Sequence, residues 1–161
     1  MICFQKVTKE QFSEAYPGVR NLDEIYDSIV LPKRSTTGSA GYDFRTPVPI
    51  HLASGETAKI PTGIRALMPK DVVLMIYPRS GLGFKYRLQL NNTVGVIDSD
   101  YAGSDNEGHI FIKITNDSKE DKILDLRAGD AFAQGIFLNY LVTDDDDVNV
   151  ARNGGFGSTG N

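Results

Sequence analysis

Three stretches of the sequence carry residues whose types and spacing suit phosphate chemistry, and the first is YPRSGLG at positions 77–83. The planar guanidinium of Arg79 matches phosphate oxygens, and the hydroxyl of Ser80 adds a hydrogen-bonding group. Gly81 and Gly83 let the backbone approach a ligand and direct amide groups at an anion. A simple Arg-Ser-Gly turn with no ligand is the alternative interpretation of this stretch.

The second stretch, NNTVGVIDSDYAG at positions 91–103, adds carboxylates and an amide. The side chain of Asn92 both donates and accepts hydrogen bonds, so it can pair with the edge of a nucleobase. Gly95 removes bulk from the same strand. Asp98 and Asp100 share one face of a regular strand, and a carboxylate beside a bound phosphate can activate water. A hairpin with solvated aspartates is the alternative, chiefly for Asp100.

Two further polar residues are candidates: Gln134, in the third stretch, and Asp43, near the start of another strand. Gln134 lies within the apolar strand of RAGDAFAQGIF, and Asp43 follows a Gly-Ser-Ala-Gly turn in TGSAGYDF. A buried amide must be hydrogen-bonded, so Gln134 is either a structural bridge or a ligand contact. Asp43 by itself indicates only the start of a strand.

A direct metal site is not indicated by the spacing of the acidic residues and histidines. The segment DSDYAGSDNEGH begins like an EF-hand loop, but Ala102 and His109 stand at its fifth and twelfth positions. That loop needs an oxygen ligand at the fifth position and Glu at the twelfth, so calcium is excluded. His51 and His109 have no neighbouring Cys or Glu at a spacing typical of zinc sites, and both are interpreted as ordinary.

The elements that must position these groups are predominantly strands. One helix is predicted near the start, with Thr8 as N-cap, Gln11 at the capping-box position, and Val7 and Phe12 placed as a hydrophobic staple. Strands are predicted at the segments TAKIPTGIRALMP, DVVLMIYP, YRLQL, TVGVID, HIFIKIT, KILDL and AFAQGIFLNYLV. The continuous run VVLMIY predicts a strand buried on both faces, and the NN pair predicts a turn between YRLQL and TVGVID. Short strands separated by Gly, Pro, Asn and Asp favour an all-β sandwich or barrel.

Composition limits the class of protein. The chain has 161 residues, which fits one domain, and a formal net charge of -4, which argues against general nucleic-acid binding. The single cysteine, Cys3, fits a reducing compartment. The N-terminus is too polar for a signal peptide and no apolar run is long enough for a membrane span, so a cytoplasmic protein without membrane contact is expected. The acidic run 144–147 is interpreted as a solvated spacer.

Taken together, these stretches resemble the trimeric dUTPases, the dUTP diphosphatases. Five segments match that family's motifs in order and span residues 38–160: GSAGYDF, PRSGLG, NTVGVIDSDYAG, RAGDAFAQ and RNGGFGSTG. Each is a weak signal alone, whereas all five in order are highly specific. The chain is most similar to bacterial and phage members.

The resemblance implies a fold, an assembly and a reaction. The expected fold is all-β, a jelly-roll-like β-barrel (β-clip) with a short N-terminal helix, in one domain over residues 1–161. Residues 1–24 lie outside the motifs, and residues 144–161 are expected to form a mobile tail. The expected assembly is a homotrimer with active sites between subunits. The expected reaction converts dUTP to dUMP and pyrophosphate with Mg²⁺ as cofactor, which supplies dUMP for dTMP synthesis and keeps uracil out of DNA.

The resemblance also assigns roles around the nucleoside. Asp98 is similar to the aspartate that holds the deoxyribose 3′-OH and orients the attacking water. Tyr101 resembles the aromatic residue that packs under the sugar and leaves no room for a 2′-OH. The uracil is expected to pair with the side chain and backbone groups of Asn92, Gly95, Val96 and Ile97.

The remaining roles concern the phosphates and the tail. Arg79, Ser80 and Gly81 resemble the phosphate loop, and Gln134 resembles a glutamine that contacts phosphate. Asp43 is similar to the aspartate that supports the water shell of the metal, so no direct protein ligand to Mg²⁺ is expected. In the tail, Phe156 is expected to cover the uracil, and the residues expected near the phosphates are Arg152, Gly157, Ser158 and Thr159.

The chain departs from the family pattern at three places. The tail motif is one residue shorter after Arg152, the turn after Tyr101 is longer over residues 102–109, and residues 1–24 match no motif. The alternative enzyme is the related dCTP deaminase, which shares the fold. From another class, some phage members bind regulatory proteins, and the longer turn and the N-terminal stretch could form such a surface.

Overall fold

The structure is a computed structural model that describes residues 1–150 and Arg152. Its strands are β1 (Cys3–Lys6), β2 (Lys33–Arg34), β3 (Tyr42–Arg45), β4 (Ile50–Leu52), β5 (Thr57–Pro61), β6 (Ile64–Leu67), β7 (Val72–Pro78), β8 (Leu88–Leu90), β9 (Gly95–Ile97), β10 (Phe111–Asn116), β11 (Leu124–Leu126) and β12 (Ala131–Asn139). Its helices are α1 (Lys9–Ala15), α2 (Leu22–Ser28), α3 (Ser80–Tyr86) and a 3-10 helix (Ser99–Gly103).

Antiparallel pairing joins the strands into four small sheets. The largest has the order β2-β3-β12-β7-β9, and a second has the order β5-β10-β8. Two pairs, β11-β4 and β1-β6, complete the arrangement. The predominance of short strands confirms the predicted all-β class.

The hydrophobic core lies between these sheets and follows the period-two alternation of strands. Ile110, Ile112 and Ile114, which flank or lie within β10, are all buried, as the HIFIKIT pattern indicates. In β7 only every second residue is buried, so the prediction of a strand buried on both faces is wrong. Apolar side chains on its second face remain half-buried, because within this chain that face is only partly covered.

The N-terminal segment is part of the folded body. The side chain of Thr8 accepts a hydrogen bond from the backbone of Gln11 at 3.2 Å, which confirms the predicted N-cap of α1. Val7 and Phe12 are both fully buried, as expected for staple positions. Strand β1, which was not predicted, pairs with β6, and its Phe4 packs against the ring of Phe44 at 5.5 Å.

One predicted strand is interrupted, and two neighbouring strands do not pair with each other. The segment TAKIPTGIRALMP forms β5 and β6, which belong to different sheets. The break lies at Gly63, whose φ of +72° suits glycine, and a Cβ there would meet Phe12 at 3.2 Å. The predicted turn at the NN pair does join β8 and β9, but these strands do not pair with each other, because β8 pairs with β10 and β9 pairs with β7.

Helices are short throughout the described part of the chain. In residues 1–150 and Arg152, no helix combines the length and apolar character that crossing a bilayer requires. Helix α3 replaces the predicted turn at RSGLG, and Gly83 donates the backbone hydrogen bond of a helical turn to Arg79 at 2.9 Å.

Candidate active site

A first polar group, called here the Arg79 cluster, consists of Asp43, Arg79 and Gln134. The guanidinium of Arg79 lies 3.2 Å from the largely buried carboxylate of Asp43, which also accepts a hydrogen bond from Ser35 at 3.0 Å. Gln134 lies opposite Asp43 in the pairing of β12 with β3. The cluster therefore combines one cation, one amide and one carboxylate at the end of β7.

The amide of Gln134 lies between the carbonyl of Pro78 and the backbone at Gly41. Its Nε2 donates to the carbonyl of Pro78 at 3.1 Å, so one end of the half-buried amide is hydrogen-bonded within the chain. Its Oε1 lies so close to Gly41 that a Cβ there would approach it at 2.4 Å. A side chain at Gly41 would therefore displace the amide of Gln134.

Ser80 and Gly81 begin helix α3, directly after Arg79. The predicted turn is therefore the first turn of a helix, and the binding of an anion there stays a prediction. The amides of the first helical turn nevertheless have no intrahelical acceptor, so both residues present polar groups beside the cluster.

A second polar group lines a cavity of about 320 Å³, called here the Asp98 pocket. A volume of this size lies at the lower end of the range typical of small-molecule sites. Its walls combine apolar and polar side chains: Ile76, Leu90, Val94, Val96, Ile97, Ile110, Phe111, Ile112, Asn92, Asp98, Tyr101 and Arg152.

The backbone of β9 forms one side of this pocket. β9 is an edge strand, and its outer edge pairs with no other strand among residues 1–150 and Arg152. Such an edge presents amide and carbonyl groups to a ligand. Gly95 lies in β9, and a Cβ there would approach Ile76 at 3.0 Å, so this glycine lets β9 lie close against β7.

The acidic residues of the pocket contact an arginine from the C-terminal segment. Arg152 pairs with the carboxylate of Asp98 and donates from Nε to Asp100 at 2.9 Å. The side chain of Asp98 is 48% exposed, whereas that of Arg152 is only 15% exposed. The guanidinium therefore occupies the wall of the pocket next to the predicted catalytic carboxylate.

Tyr101 forms the floor of the pocket beside Asp98. The residue is 6% exposed, and its hydroxyl donates to the carbonyl of His109 at 2.8 Å. Burial raises the pKa of the Tyr101 hydroxyl, partly offset by a hydrogen bond from Asn106 and by the charge of Arg152. The ring is consequently a neutral, fixed surface against which a ligand can pack.

The structure does not bring the Arg79 cluster and the Asp98 pocket together. Ile97, next to Asp98, pairs with Leu74 near the start of β7, whereas Arg79 follows its end. At the usual rise of a strand, the five residues from Leu74 to Arg79 span about 17 Å. Arg79 also extends towards Asp43, on the side of β7 away from β9. Within one chain, the Arg79 cluster and the Asp98 pocket are therefore separate.

Comparison with known proteins assigns the family. The dUTPase family model matches residues 27–160. The chain is 44% identical over 135 residues to the deoxyuridine 5′-triphosphate nucleotidohydrolase of Lactococcus lactis, covering 82% of this chain and 89% of that protein. The chain belongs to the dUTPase family. A dUTPase-named relative from Sodalis glossinidius is 36% identical over 151 residues, covering 88% and 95% of the two chains.

Solved structures agree with the dUTPase fold. The dUTPase of Streptococcus mutans superposes with a TM-score of 0.67 at 36% identity, covering 88% of this chain and 98% of that chain. The dUTPase of phage phi11 of Staphylococcus aureus, described as coordinating a structural Mg(II) ion, gives a TM-score of 0.64 at 20% identity, with coverage of 93% and 97%. The expected jelly-roll-like dUTPase fold is confirmed.

Sequence reasoning missed a set of contacts in this dUTPase that lie around the longer turn after Tyr101. Asn106 contacts the hydroxyl of Tyr101, and Glu107 binds Thr8. His109 is fully buried, which lowers its pKa to about 4, whereas His51 is exposed beside Asp125. The only signal in the sequence was the departure of this turn from the dUTPase motif.

Some predicted dUTPase residues lie outside the described part of the chain. These are the tail residues Phe156, Gly157, Ser158 and Thr159. Within residues 1–150 and Arg152, no group of three or more His, Cys, Asp or Glu side chains is arranged to hold a metal ion directly.

Proposed function

We propose that this protein hydrolyses dUTP to dUMP and pyrophosphate. The observation that carries the proposal is the Asp98 pocket, in which an acidic residue, a neutral aromatic floor and an open strand edge adjoin one another. Its membership of the dUTPase family and the 44% identity to a dUTPase-named relative support the same reaction.

Uracil binds along the outer edge of β9. The backbone groups of β9 and the amide of Asn92 supply donors and acceptors matched to the edge of the base. Cytosine reverses one donor and one acceptor at that edge, which leaves buried polar groups unpaired. The deoxyribose packs on the ring of Tyr101, which leaves no space for a 2′-hydroxyl.

Asp98 acts as the general base. It takes a proton from water as the water oxygen bonds to the α-phosphorus, and the bond from that phosphorus to the bridging oxygen of pyrophosphate breaks. A positioned base of this kind contributes about 10²–10⁴-fold to the rate. Arg152 forms an ion pair with Asp98 in the structure, so nucleotide entry must displace the guanidinium of Arg152. The displaced guanidinium is also suited to bind a phosphate group.

The phosphates bind at an Arg79 cluster supplied by another copy of the chain. The Arg79 cluster and the Asp98 pocket, here called the two half-sites, lie too far apart in one chain for a single nucleotide, since about 17 Å of β7 separates them. A homotrimer with active sites between subunits joins them, and the tail of the third subunit would place Phe156 over the base. The predicted contact of Arg152 with the γ-phosphate remains part of this proposal.

A hydrated magnesium ion fits the Arg79 cluster without a direct protein ligand. The carboxylate of Asp43 accepts a hydrogen bond from Ser35 and forms an ion pair with Arg79, and a carboxylate has further lone pairs for water molecules of the ion. When bound to the triphosphate, Mg²⁺ offsets charge on its oxygens.

Cys3, the single cysteine of the chain, supports a cytoplasmic location, since no internal disulfide can form.

The test measures pyrophosphate release from dUTP, dCTP, dTTP and UTP side by side, with and without Mg²⁺. Fast release of pyrophosphate from dUTP alone is expected; ammonia release from dCTP would favour a deaminase instead.

Asp98→Asn should lower kcat by about 10²–10⁴-fold with a small change in nucleotide binding. Asp121→Asn, in an exposed loop, is the matched control. Normal turnover by Asp98→Asn would remove the residue from catalysis.

A further inference from the structure

The longer turn that follows Tyr101 is packed directly against that residue. Gly108 has a φ of +72°, and a Cβ there would lie 2.6 Å from the Cα of Ala102 and 2.8 Å from the carbonyl oxygen of Tyr101. The backbone amide of Ser104 donates to the same carbonyl oxygen at 3.0 Å. The turn therefore folds back over the backbone of Tyr101 with no space between them.

The turn also fixes the hydroxyl of Tyr101 through two hydrogen bonds. The hydroxyl donates to the carbonyl of His109 at 2.8 Å and accepts from Nδ2 of Asn106 at 2.8 Å. The amide of Asn106 is itself held, because its Oδ1 accepts from the backbone of Gly108 at 3.1 Å. A donor and an acceptor from one turn thus hold the far end of the ring.

The other side of the turn is held by the N-terminal segment. The carboxylate of Glu107 accepts hydrogen bonds from the amide of Thr8 at 2.8 Å and from its hydroxyl at 2.6 Å. His109 is buried between two aromatic rings, with its ring centre 4.5 Å from Phe111 and 6.2 Å from Phe12. Its Nε2 accepts from the amide of Gly63 at 2.9 Å. The turn consequently has little freedom to move away from Tyr101.

We propose that Asn106 is a positioning residue for sugar selection. By holding the hydroxyl of Tyr101, Asn106 sets how far the ring extends into the Asp98 pocket and so whether a ribose can enter. Exclusion of a 2′-hydroxyl by contact requires a ring that does not yield, because a binding geometry held within about 0.5 Å is needed for such discrimination. This inference rests on the proposed hydrolysis of dUTP.

The test compares kcat/KM for dUTP and for UTP in the wild type, Asn106→Ala, Tyr101→Phe and the double variant. Tyr101→Phe keeps the ring and removes only the hydroxyl. Each single variant should narrow the preference for dUTP by about 3- to 10-fold, as expected for one buried hydrogen bond. The double variant should narrow it no further than Tyr101→Phe alone, because both changes remove the same contact.

A purely structural role for Asn106 predicts a different result. Loss of stability alone would leave the ratio of the two kcat/KM values unchanged in the folded fraction. Asn139→Ala, which removes an exposed side-chain contact with Asp71 at the end of β12, is the control and should leave the ratio unchanged.

The outcomes separate the two proposals. If the wild type does not hydrolyse dUTP, the proposed function is wrong and this inference with it. If the wild type hydrolyses dUTP but Asn106→Ala keeps the full preference over UTP, only the role of Asn106 is wrong. If Asn106→Ala fails to fold, Tyr101→Phe decides, because an unchanged preference in that variant would overturn the role of the held hydroxyl.

Discussion

Replacing the buried histidine should make folding less sensitive to acid. His109 is fully buried, its Nε2 accepts a hydrogen bond from Gly63, and its Nδ1 has no hydrogen-bond partner among the described residues. Burial lowers the pKa of His109 from 6.5 to about 4, although the charge of Glu107 raises it in part. The imidazole of His109 is therefore protonated below about pH 6.5 in the unfolded chain, but only below about pH 4 in the folded protein.

The sign and size of the effect follow from these two pKa values. Above pH 7 the histidine is neutral in both states and does not affect the pH dependence. As the pH falls from 6.5 towards 4, protonation favours the unfolded chain, and below 4 the loss stops growing. Between pH 7.5 and 4.5 the loss attributable to His109 is about 2–3 kcal/mol of unfolding free energy.

Urea unfolding at pH 7.5 and 4.5, at equal subunit concentration, measures this loss. His109→Gln should be less stable than the wild type at pH 7.5 but should lose about 2–3 kcal/mol less on acidification. His51→Gln is the matched control, because His51 is the other histidine of the chain and its side chain is 67% exposed. Equal acid-induced losses in His109→Gln and the wild type would refute the reasoning. Carboxylates distant from His109 that titrate in the same range affect both proteins alike.

Two further predictions concern the half-sites. Gly41→Ala should displace the amide of Gln134 and raise KM for dUTP by about tenfold, since a hydrogen bond to the nucleotide is lost. Gly38→Ala, with open space around its Cβ position, is the control and should leave KM unchanged. Equal KM values in the two variants would count against a phosphate role for Gln134. Chains with Asp98→Asn and chains lacking residues 152–161 should each be inactive but regain partial activity in mixed trimers. Mixed trimers without recovery would contradict a tail lent between subunits.

The sequence by itself determined the features that depend on neighbouring residues. The capping of α1 by Thr8 and the burial of alternate isoleucines around β10 follow from local chemistry and period. The segments TVGVID and DVVLMIYP also contain strands, β9 and β7, as their apolar residues predicted. These features need no information about which strands meet.

Tertiary structure decided which segments meet and how far apart the motifs lie. No local pattern shows that β8 and β9 join different sheets, because the choice of partner depends on packing across the whole chain. The turn at RSGLG became helix α3 for a similar reason, since tertiary context overrides the turn preference of glycine. The hydrogen bonds from Thr8 to Glu107 join residues 99 positions apart, and the antiparallel pairing of β7 with β9 separates Asp98 from Arg79. Such long-range contacts are set by the packing of distant surfaces, which no window of sequence contains.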